Sequence, residues 1–278
     1  MSLWGMKNYY STGKNYNKPD KKFMSLFVGL VDGDGYIEIG PQKQYNSLES
    51  SPKSTIRARL VIRLHERDTS LLTYLKDVLG AGSISVLKPA TDSAGGQTRL
   101  IFSKKDLVTV IIPLIKEYNI QFLTANRYKQ FALLNHIIDN NIVHWENVDF
   151  NPVECQSSVE SLLNLDFFAH WVVGFTVAEG SFGVKTRGDA FFQIKQKGIE
   201  NYNLIKAISL LIVNREPNIK ADYTNSYQLT LSSKADVQQV VNFFSKSDDL
   251  YGYKLIQYKE WLAYLKTSNR YKNIIILS

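Results

Sequence analysis

The chain has 278 residues, of which 44% are hydrophobic and 21% charged, and these proportions exclude a disordered or fibrous protein. Thirty-three Lys and Arg against 26 Asp and Glu leave a formal charge of +7. A basic surplus suits a polyanion such as nucleic acid or an anionic membrane, although a basic soluble protein without either partner has the same charge.

The first 22 residues are polar and rich in Tyr, Asn and Lys, and they lack the apolar core of a secretion signal. We interpret residues 1–22 as a leader or an arm. No apolar stretch of the chain approaches the ~20 residues that a membrane helix needs, so no membrane partner is expected. The single cysteine, Cys155, excludes an intrachain disulfide and a cysteine-rich metal site.

The first half begins with a short apolar helix that ends at an acidic residue followed by glycine, in Leu26-Phe-Val-Gly-Leu-Val-Asp-Gly-Asp-Gly35. The apolar pattern after it predicts two strands, a helix, two more strands and a final helical region. The predicted strands and the helix between them, in chain order, are Tyr36 to Gln44, Thr55 to His65, Thr69 to Leu79 (the helix), Ser83 to Leu87 and Thr98 to Phe102.

The same order returns in the second half, which begins with the matching motif Trp171-Val-Val-Gly-Phe-Thr-Val-Ala-Glu-Gly180. Later segments also match, since Ser103 to Leu107 resembles Ser233 to Val237 and Arg127 to Phe131 resembles Lys254 to Tyr258. The predicted strands and helix are Ser181 to Thr186, Ala190 to Lys197, Tyr202 to Ile212 (the helix), Ile219 to Tyr223 and Tyr227 to Leu231.

The repeat predicts an α+β protein of two pseudo-symmetric αββαββα domains, each an antiparallel sheet with helices on one face. About fifteen extra residues of the first half fall in the turn-rich segment Gln42 to Lys53. A stretch with a proline and little periodicity, NVDFNPVECQSS, separates the halves. We expect a leader at 1–22, a first domain at 23–146, a linker at 147–160 and a second domain at 161–278.

The alternation of the strands divides apolar from polar faces. In Thr55 to Leu64, the apolar side chains point one way and three arginines point the other. Arg, Lys and Gln can bond base edges in the major groove, which admits a β-ribbon, so the polar faces are candidate nucleic-acid surfaces rather than only wet sheet faces. The outward residues are Glu38, Gln42, Gln44, Arg57, Arg59, Arg63, Gln97, Arg99, Lys185, Arg187, Gln193, Lys195, Gln228 and Thr230.

Small residues spaced four apart mark one face of each motif helix: Gly29 and Gly33 in the first, Gly174 and Ala178 in the second. Such residues let two helix backbones approach closely. If these helices pack together, the acids at their ends emerge side by side, an unfavourable arrangement unless divalent cations lie between them. Mg²⁺ shares carboxylates with phosphates, and two such ions can assist phosphodiester hydrolysis.

The two motifs resemble the paired LAGLIDADG sequences of single-chain LAGLIDADG homing endonucleases, and the resemblance covers nearly the whole chain from Leu26 onward. It implies that the two sheets form a DNA-binding saddle. It also implies a monomeric, site-specific enzyme that makes a metal-dependent double-strand break in a long asymmetric DNA target. The expected cut leaves 3′ cohesive ends and leads to intron homing.

The resemblance also implies roles for single residues. The last acid of each motif, Asp34 or Glu179, would bind metal, and a basic residue of each late helix, Arg127 or Lys254, would support the site. A polar residue at the end of each second strand would face the hydrolytic water. The implied catalytic residues are Asp34, Glu179, Lys254, Arg127, Gln196 and Glu66. The implied metal ligands are Asp34, Glu179, Gly33 and Ala178.

Three positions depart from the family pattern. Arg127 stands where lysine is more familiar, and arginine cannot deprotonate. Glu66 adds an acid where Gln196 is neutral, which suggests unequal cutting of the two strands. Asp32 has no acidic counterpart in the second motif; it is either an acid that supports the metal ligands from behind or a solvated side chain, and we favour the solvated side chain.

The implied cofactor is Mg²⁺, as two or three divalent ions, with Mn²⁺ as a substitute and Ca²⁺ binding without turnover. The expected partner is double-stranded DNA, and the expected location is the mitochondrion, as for an organelle-encoded fungal-type protein. One alternative is a group I intron RNA maturase, alone or as a second activity. Another is a regulator that binds DNA without cutting. The intact acids Asp34 and Glu179 favour cleavage.

Overall fold

The structure is a computed structural model that describes residues 18–42, 54–87, 95–152, 154–155, 157–216, 219–222, 224–246 and 250–276. Most of the predicted leader, all of the predicted insertion Gln42 to Lys53 except Gln42, and the candidate DNA contact Gln44 lie outside these residues.

The first half follows the predicted order of elements. Its strands are β1 (Gly35–Gln42), β2 (Thr55–His65), β3 (Ser83–Leu87) and β4 (Gln97–Phe102). Its helices are α1 (Lys21–Asp34), α2 (Thr69–Leu79), α3 (Lys104–Asp106), α4 (Ile112–Glu117) and α5 (Ala125–Asp139), with a π-helical stretch (Leu107–Ile111) joining α3 to α4. Short 3-10 turns occupy Glu66–Asp68 and Trp145–Asn147.

The second half repeats this order after a short helix, α6 (Val159–Leu163). Its strands are β5 (Gly180–Val184), β6 (Ala190–Lys197), β7 (Lys220–Ala221) and β8 (Ser226–Leu231). Its helices are α7 (Phe168–Glu179), α8 (Tyr202–Val213), α9 (Lys234–Lys246) and α10 (Gly252–Thr267), and a 3-10 turn (Ile199–Asn201) precedes α8. The observed β5 and β7 are shorter than predicted.

Each half contains one antiparallel sheet of the same topology, with strand orders β1-β2-β4-β3 and β5-β6-β8-β7. Gly35 pairs with Ile62 in the first sheet, and Gly180 pairs with Ile194 in the second, so the two β-hairpins correspond residue by residue. The predicted α+β fold with two matching halves is therefore confirmed.

The helices α1 and α7 lie at the centre of the molecule because both are apolar around most of their circumference. Asp20 caps α1 by accepting a hydrogen bond from the Phe23 N–H at 2.7 Å. From Met24 to Asp32, every residue of α1 is buried. Trp171 and Phe175 of α7 are fully buried and stack on each other at 4.7 Å between ring centroids. The core of one half thus continues into the other through these two helices.

Helix length and hydropathy bear on membrane insertion. Within the described ranges, no helix combines the length and the apolar character that crossing a bilayer requires.

Candidate functional site

The helices α1 and α7 meet in direct backbone contact at the small residues that the sequence singles out. A Cβ added at Gly29 would lie 2.9 Å from the Phe175 nitrogen and closer still to the Trp171 carbonyl oxygen. A Cβ added at Gly174 would collide with the Leu26 backbone in the same way. Only glycine permits this approach, so the close packing brings the C-terminal ends of the two helices together.

Asp34 and Glu179 are the last residues of α1 and α7, and both are half-buried. A Cβ at Gly33 would lie 3.1 Å from the Glu179 Cγ, which shows how near the two acids emerge. Burial raises the pKa of Asp34 to about 6, against the opposing charge of Lys254. Burial and then the charge of Asp34 raise the pKa of Glu179 to about 7. The pair therefore resists carrying two negative charges without a nearby cation.

The predicted basic residues occupy equivalent places, because Arg127 and Lys254 are each the third residue of their helix, α5 and α10. The Lys254 ammonium donates to the Gly180 carbonyl oxygen. Burial lowers the pKa of Lys254, and the charge of Asp34 opposes that shift. Arg127 donates from Nε to the Val31 carbonyl oxygen at 3.4 Å. The positive charge of Arg127 partly opposes the rise in the pKa of Glu179.

A cavity of about 190 Å³ opens beside Asp34 at the junction of the two halves. Its lining includes Asp34, Arg63, Arg67, Asp68, Ala178 and Lys254. Residues from both halves thus surround Asp34. They belong to the end of a strand, to a turn and to the ends of helices.

The predicted equivalence of Glu66 and Gln196 is wrong. The strand registers match Ile62 with Ile194, so the counterpart of Gln196 is Leu64. Leu64 lines the cavity, whereas Glu66 begins the 3-10 turn beyond the strand. The first residue of the matching turn is Ile199.

Arg67 and Asp68, in the turn Glu66–Asp68, contact the other half of the molecule. A role for either residue was not predicted from the sequence. The Asp68 Oδ1 accepts a hydrogen bond from the Tyr253 N–H at 2.7 Å. The Arg67 guanidinium carbon lies 3.5 Å from the Tyr253 ring centroid, a cation–π contact. Neither residue stands in a motif, so only the position of the turn after the second strand could have drawn attention to them.

The interpretation of Asp32 as solvated is also wrong, because its side chain is buried. Its carboxylate accepts hydrogen bonds from the Leu123 N–H at 2.8 Å and from the Thr124 hydroxyl at 2.6 Å. The Thr124 N–H and the Trp171 Nε1 complete the set at 3.1 Å and 2.8 Å. Burial raises the pKa of Asp32 to about 6, while these four donors favour the charged form. Asp32 thus joins α1 to the start of α5 and to the other half.

The outer face of the first sheet carries two kinds of arginine. Glu38 pairs with Arg57 at 2.5 Å and with Arg59 at 2.7 Å, so one carboxylate offsets part of the charge of these two arginines. Arg63 and Arg99 lie opposite each other on neighbouring strands, and the buried Arg99 Nε has no hydrogen-bond partner within the described ranges. Among the described residues no acid forms a salt bridge with either of them. Like charges facing each other are unfavourable, which makes this pair suited to an external anion.

The outer face of the second sheet is polar but less basic. Gln193 pairs in register with Thr230, and Lys195 with Gln228. Asp222 forms an ion pair with Lys195 at 2.5 Å.

The prediction that Lys185 lies in a strand and that Arg187 belongs to the outward face of the sheet is wrong, because β5 ends at Val184. The two residues lie in the turn that follows, which the Lys185 N–H closes by donating to the Asp189 carbonyl oxygen at 2.9 Å. Arg187 pairs with the Asp189 carboxylate.

The donor chemistry of the acid pair fits a hard divalent cation. Two carboxylates with raised pKa values and the main-chain oxygens beside them are oxygen ligands of the kind that Mg²⁺ prefers. In the described part of the chain, no group of three or more His, Cys, Asp or Glu could enclose a metal. A metal here would therefore complete its coordination with water or with phosphate oxygens, which suits chemistry on a phosphodiester.

Comparison with protein families gives one match over both halves. A sequence model described as LAGLIDADG endonuclease matches residues 27–138 and 172–265.

Two curated relatives are encoded by introns, to judge by their names. The chain is 25% identical over 255 residues to an uncharacterized cox1 intron-2 37.2 kDa protein of Schizosaccharomyces pombe, covering 88% of this chain and 66% of the relative. It is 24% identical to a probable intron-encoded endonuclease aI3 of Dictyostelium citrinum, covering 81% of this chain and 86% of the relative.

Two solved structures share the fold. I-SmaMI bound to uncleaved DNA with calcium ions superimposes with a TM-score of 0.70 at 19% identity, covering 90% of this chain and 92% of that chain. The LAGLIDADG homing endonuclease I-GzeII in complex with its DNA target gives a TM-score of 0.67 at 16% identity, covering 90% and 95%. None of these four descriptions mentions RNA or splicing, so the maturase alternative gains no support.

Proposed function

Because the chain belongs to the LAGLIDADG endonuclease family, we propose that it is a monomeric, metal-dependent endonuclease that breaks both strands of a long, asymmetric DNA site. The carrying observation is the pair of half-buried acids, Asp34 and Glu179, at the ends of two helices in backbone contact. The proposed product has 3′ cohesive ends, and the proposed outcome is intron homing.

The proposed binding surface is the outer face of both sheets, lying along the major groove. The unlike halves, at 23–146 and 161–278, would each read one side of the target, so the target needs no palindrome. The uncompensated pair Arg63 and Arg99 supports a phosphate or guanine contact near the acids. Glu38 would hold Arg57 and Arg59 until DNA arrives.

The proposed ligands of divalent ions are the carboxylates of Asp34 and Glu179 with main-chain oxygens at Gly33 and Ala178. When bound, Mg²⁺ would supply an activated water and charge neutralisation of the phosphate, with Mn²⁺ able to replace it and Ca²⁺ supporting DNA binding alone. Lys254 and Arg127 would stabilise negative charge that develops on the phosphate.

The two halves offer different groups to the reacting water. Gln196, the residue before the last of β6, has an amide that can orient a water molecule, whereas its counterpart Leu64 is apolar. Arg127 remains charged throughout, whereas Lys254 has a lowered pKa and can exchange a proton more readily. We therefore expect the two DNA strands to be cut at unequal rates.

We also propose a mitochondrial gene and location for the protein. The support is the description of the Schizosaccharomyces pombe relative as a cox1 intron product and the Asn, Lys, Tyr and Ile content of the chain.

The test is a Mg²⁺-dependent cleavage selection on a randomised duplex library, with every cut end mapped. Glu179→Gln runs in parallel, and Glu260→Gln, an exposed acid on α10, is the matched control. The expected result is one long asymmetric site with staggered cuts for the wild type and the control, and none for Glu179→Gln. Sequence enrichment without cuts, or full activity of Glu179→Gln, contradicts the proposal.

A further inference from the structure

The two helices that carry the basic residues each begin in contact with the opposite half. The Asn201 Oδ1 accepts a hydrogen bond from the N–H of Ala125, the first residue of α5, at 3.0 Å. The Asp68 Oδ1 accepts one from the N–H of Tyr253, the second residue of α10, at 2.7 Å. Both bonds cross between the halves, in opposite directions.

Asp68 and Asn201 occupy matching positions, since they immediately precede α2 and α8, the helices after the second strand of each half. A residue at this position usually caps its own helix, but neither side chain does so here. The first-turn amides of a helix need acceptors from outside the helix. Thr124 and Tyr251, which precede α5 and α10, supply no side-chain cap. The opposite half supplies the acceptor instead.

Both acceptors are held firmly. Asn201 is 2% exposed, and its Nδ2 donates to the Lys197 carbonyl oxygen at 2.7 Å. Asp68 lies against Gly252, whose positive φ of 59° and missing Cβ leave room for the carboxylate. The neighbouring Arg67 stacks on the Tyr253 ring. These contacts fix the first turn of each helix relative to the other half.

We propose that Asp68 and Asn201 are reciprocal positioning residues of the catalytic site: Asp68 places Lys254 and Asn201 places Arg127, each from the opposite half. Lys254 follows Tyr253 directly, and Arg127 lies two residues after Ala125, so a shift of either first turn moves the basic side chain relative to the two acids. This inference rests on the proposed endonuclease activity.

The test is a set of double-mutant cycles, measured as single-turnover nicking of a supercoiled plasmid that carries the selected target. Asp68→Ala should slow nicking by about tenfold or more, because small displacements of a catalytic group are costly. In a Lys254→Ala background the same change should cost less than about twofold. In an Arg127→Ala background it should keep its full effect. Asn201→Ala should lose its effect in the Arg127→Ala background and keep its full effect in the Lys254→Ala background.

A conservative variant separates positioning from charge. Asn201 shows that an amide oxygen serves in this place, so Asp68→Asn should stay within about threefold of the wild-type rate. Equal effects of Asp68→Ala in both backgrounds, a wild-type rate for Asp68→Ala, or an Asp68→Asn rate as low as that of Asp68→Ala overturns the inference. The Asn201 arm decides the question even if Asp68→Ala does not fold.

Amide hydrogen exchange on the metal-free protein gives a readout independent of cleavage. Asp68→Ala should speed exchange at the start of α10 by about tenfold and leave the start of α5 unchanged, and Asn201→Ala should do the opposite. If the wild type does not cut DNA, the proposed function fails. The amide exchange rates then still test whether Asp68 and Asn201 hold the helix starts of the opposite half. Unchanged exchange in both variants overturns them.

Discussion

Asp34 and Glu179 lie at positions where an ionised carboxylate is electrostatically unfavourable. Each ends a helix, where the macrodipole is negative, and each is half-buried beside the other. Burial dominates both raised pKa values, while Lys254 and Arg127 only partly offset it. Holding two ionised carboxylates together destabilises the metal-free protein, and a bound divalent cation would offset that electrostatic cost. The same two carboxylates would therefore lower the stability of the metal-free protein and provide its affinity for metal.

The cost predicts a pH-dependent gain in stability for Glu179→Gln when metal is chelated. The pKa of Glu179 is raised from 4.5 to about 7, so folding favours the protonated acid. The wild type therefore loses stability as pH rises through 7, and glutamine avoids that loss. At pH 8 the variant should be more stable by about 1–3 kcal/mol.

The measurement is urea unfolding in EDTA from pH 4 to 8. The advantage should shrink below pH 7 and vanish below about 4.5, where both folded and unfolded wild type are protonated at this residue. Glu260→Gln, at an exposed position, should show no such trend. A constant difference at every pH would contradict the assignment of the effect to Glu179 ionisation.

The sequence could single out site residues that stand in repeated motifs. It could not single out residues whose role depends on contacts with distant parts of the chain. The family resemblance singled out Asp34, Glu179, Arg127 and Lys254 because they stand in segments that repeat in the two halves, and the structure places them at matching positions of the helices. Asp68 was missed because its partner is a backbone N–H far along the chain. Asp32 was misjudged for the same reason, since no local pattern reveals its four donors. Their roles come from tertiary contacts, which a single sequence does not display.

At the scale of elements, the strands and helices were largely predictable because alternation and helical periodicity are local signals. The bounds of β2, β3, β6 and α2 agree with the prediction. The end of β5 was misplaced because the turn at 185–189 continues the polar alternation, although Gly188 has a positive φ of 87° that closes it. The correspondence of Glu66 with Gln196 failed because insertions change the spacing between the halves from segment to segment.

The contact of α1 with α7 predicts that Gly29→Ala is strongly unfavourable. Its Cβ would collide with the Trp171 carbonyl oxygen and push the helices apart. Overpacking should lower the free energy of unfolding by about 1–3 kcal/mol, despite the helix preference of alanine. Cleavage should fall as well, because Asp34 moves relative to Glu179.

Gly40 provides the matched control, since a Cβ there would meet no atom within 4 Å in the part of the chain that the structure describes. Gly40→Ala should change the unfolding free energy by less than about 0.5 kcal/mol. Thermal and urea unfolding of both variants would measure the difference. Equal stabilities for the two variants would show that α1 and α7 can separate without cost.

At the scale of the whole molecule, the net charge of +7 already counts every acid, so the pairing of individual charges distinguishes one region from another. On the outer sheet faces, Glu38 and Asp222 form ion pairs with some of the basic side chains. Arg63 and Arg99 remain without an acidic partner among the described residues. We therefore expect the strongest electrostatic contact with DNA near these two residues rather than along the entire face.

This distribution predicts that Arg99→Ala weakens binding to the selected target and reduces the slope of log affinity against log salt by about one. Lys266→Ala removes the same charge from the exposed end of α10 and should change neither quantity. Fluorescence anisotropy in Ca²⁺ at several salt concentrations would measure both. Equal losses in the two variants would mean that only net charge matters.

The buried carboxylate of Asp32 has a consequence for recombining halves from related proteins. Its Trp171 donor belongs to the second half, and its Thr124 donors immediately precede α5, the helix that carries Arg127. A chimera that keeps the first half but imports a second half without tryptophan at this position would bury an undersatisfied acid. The two halves look like interchangeable modules, yet Asp32 and Trp171 have to be inherited together.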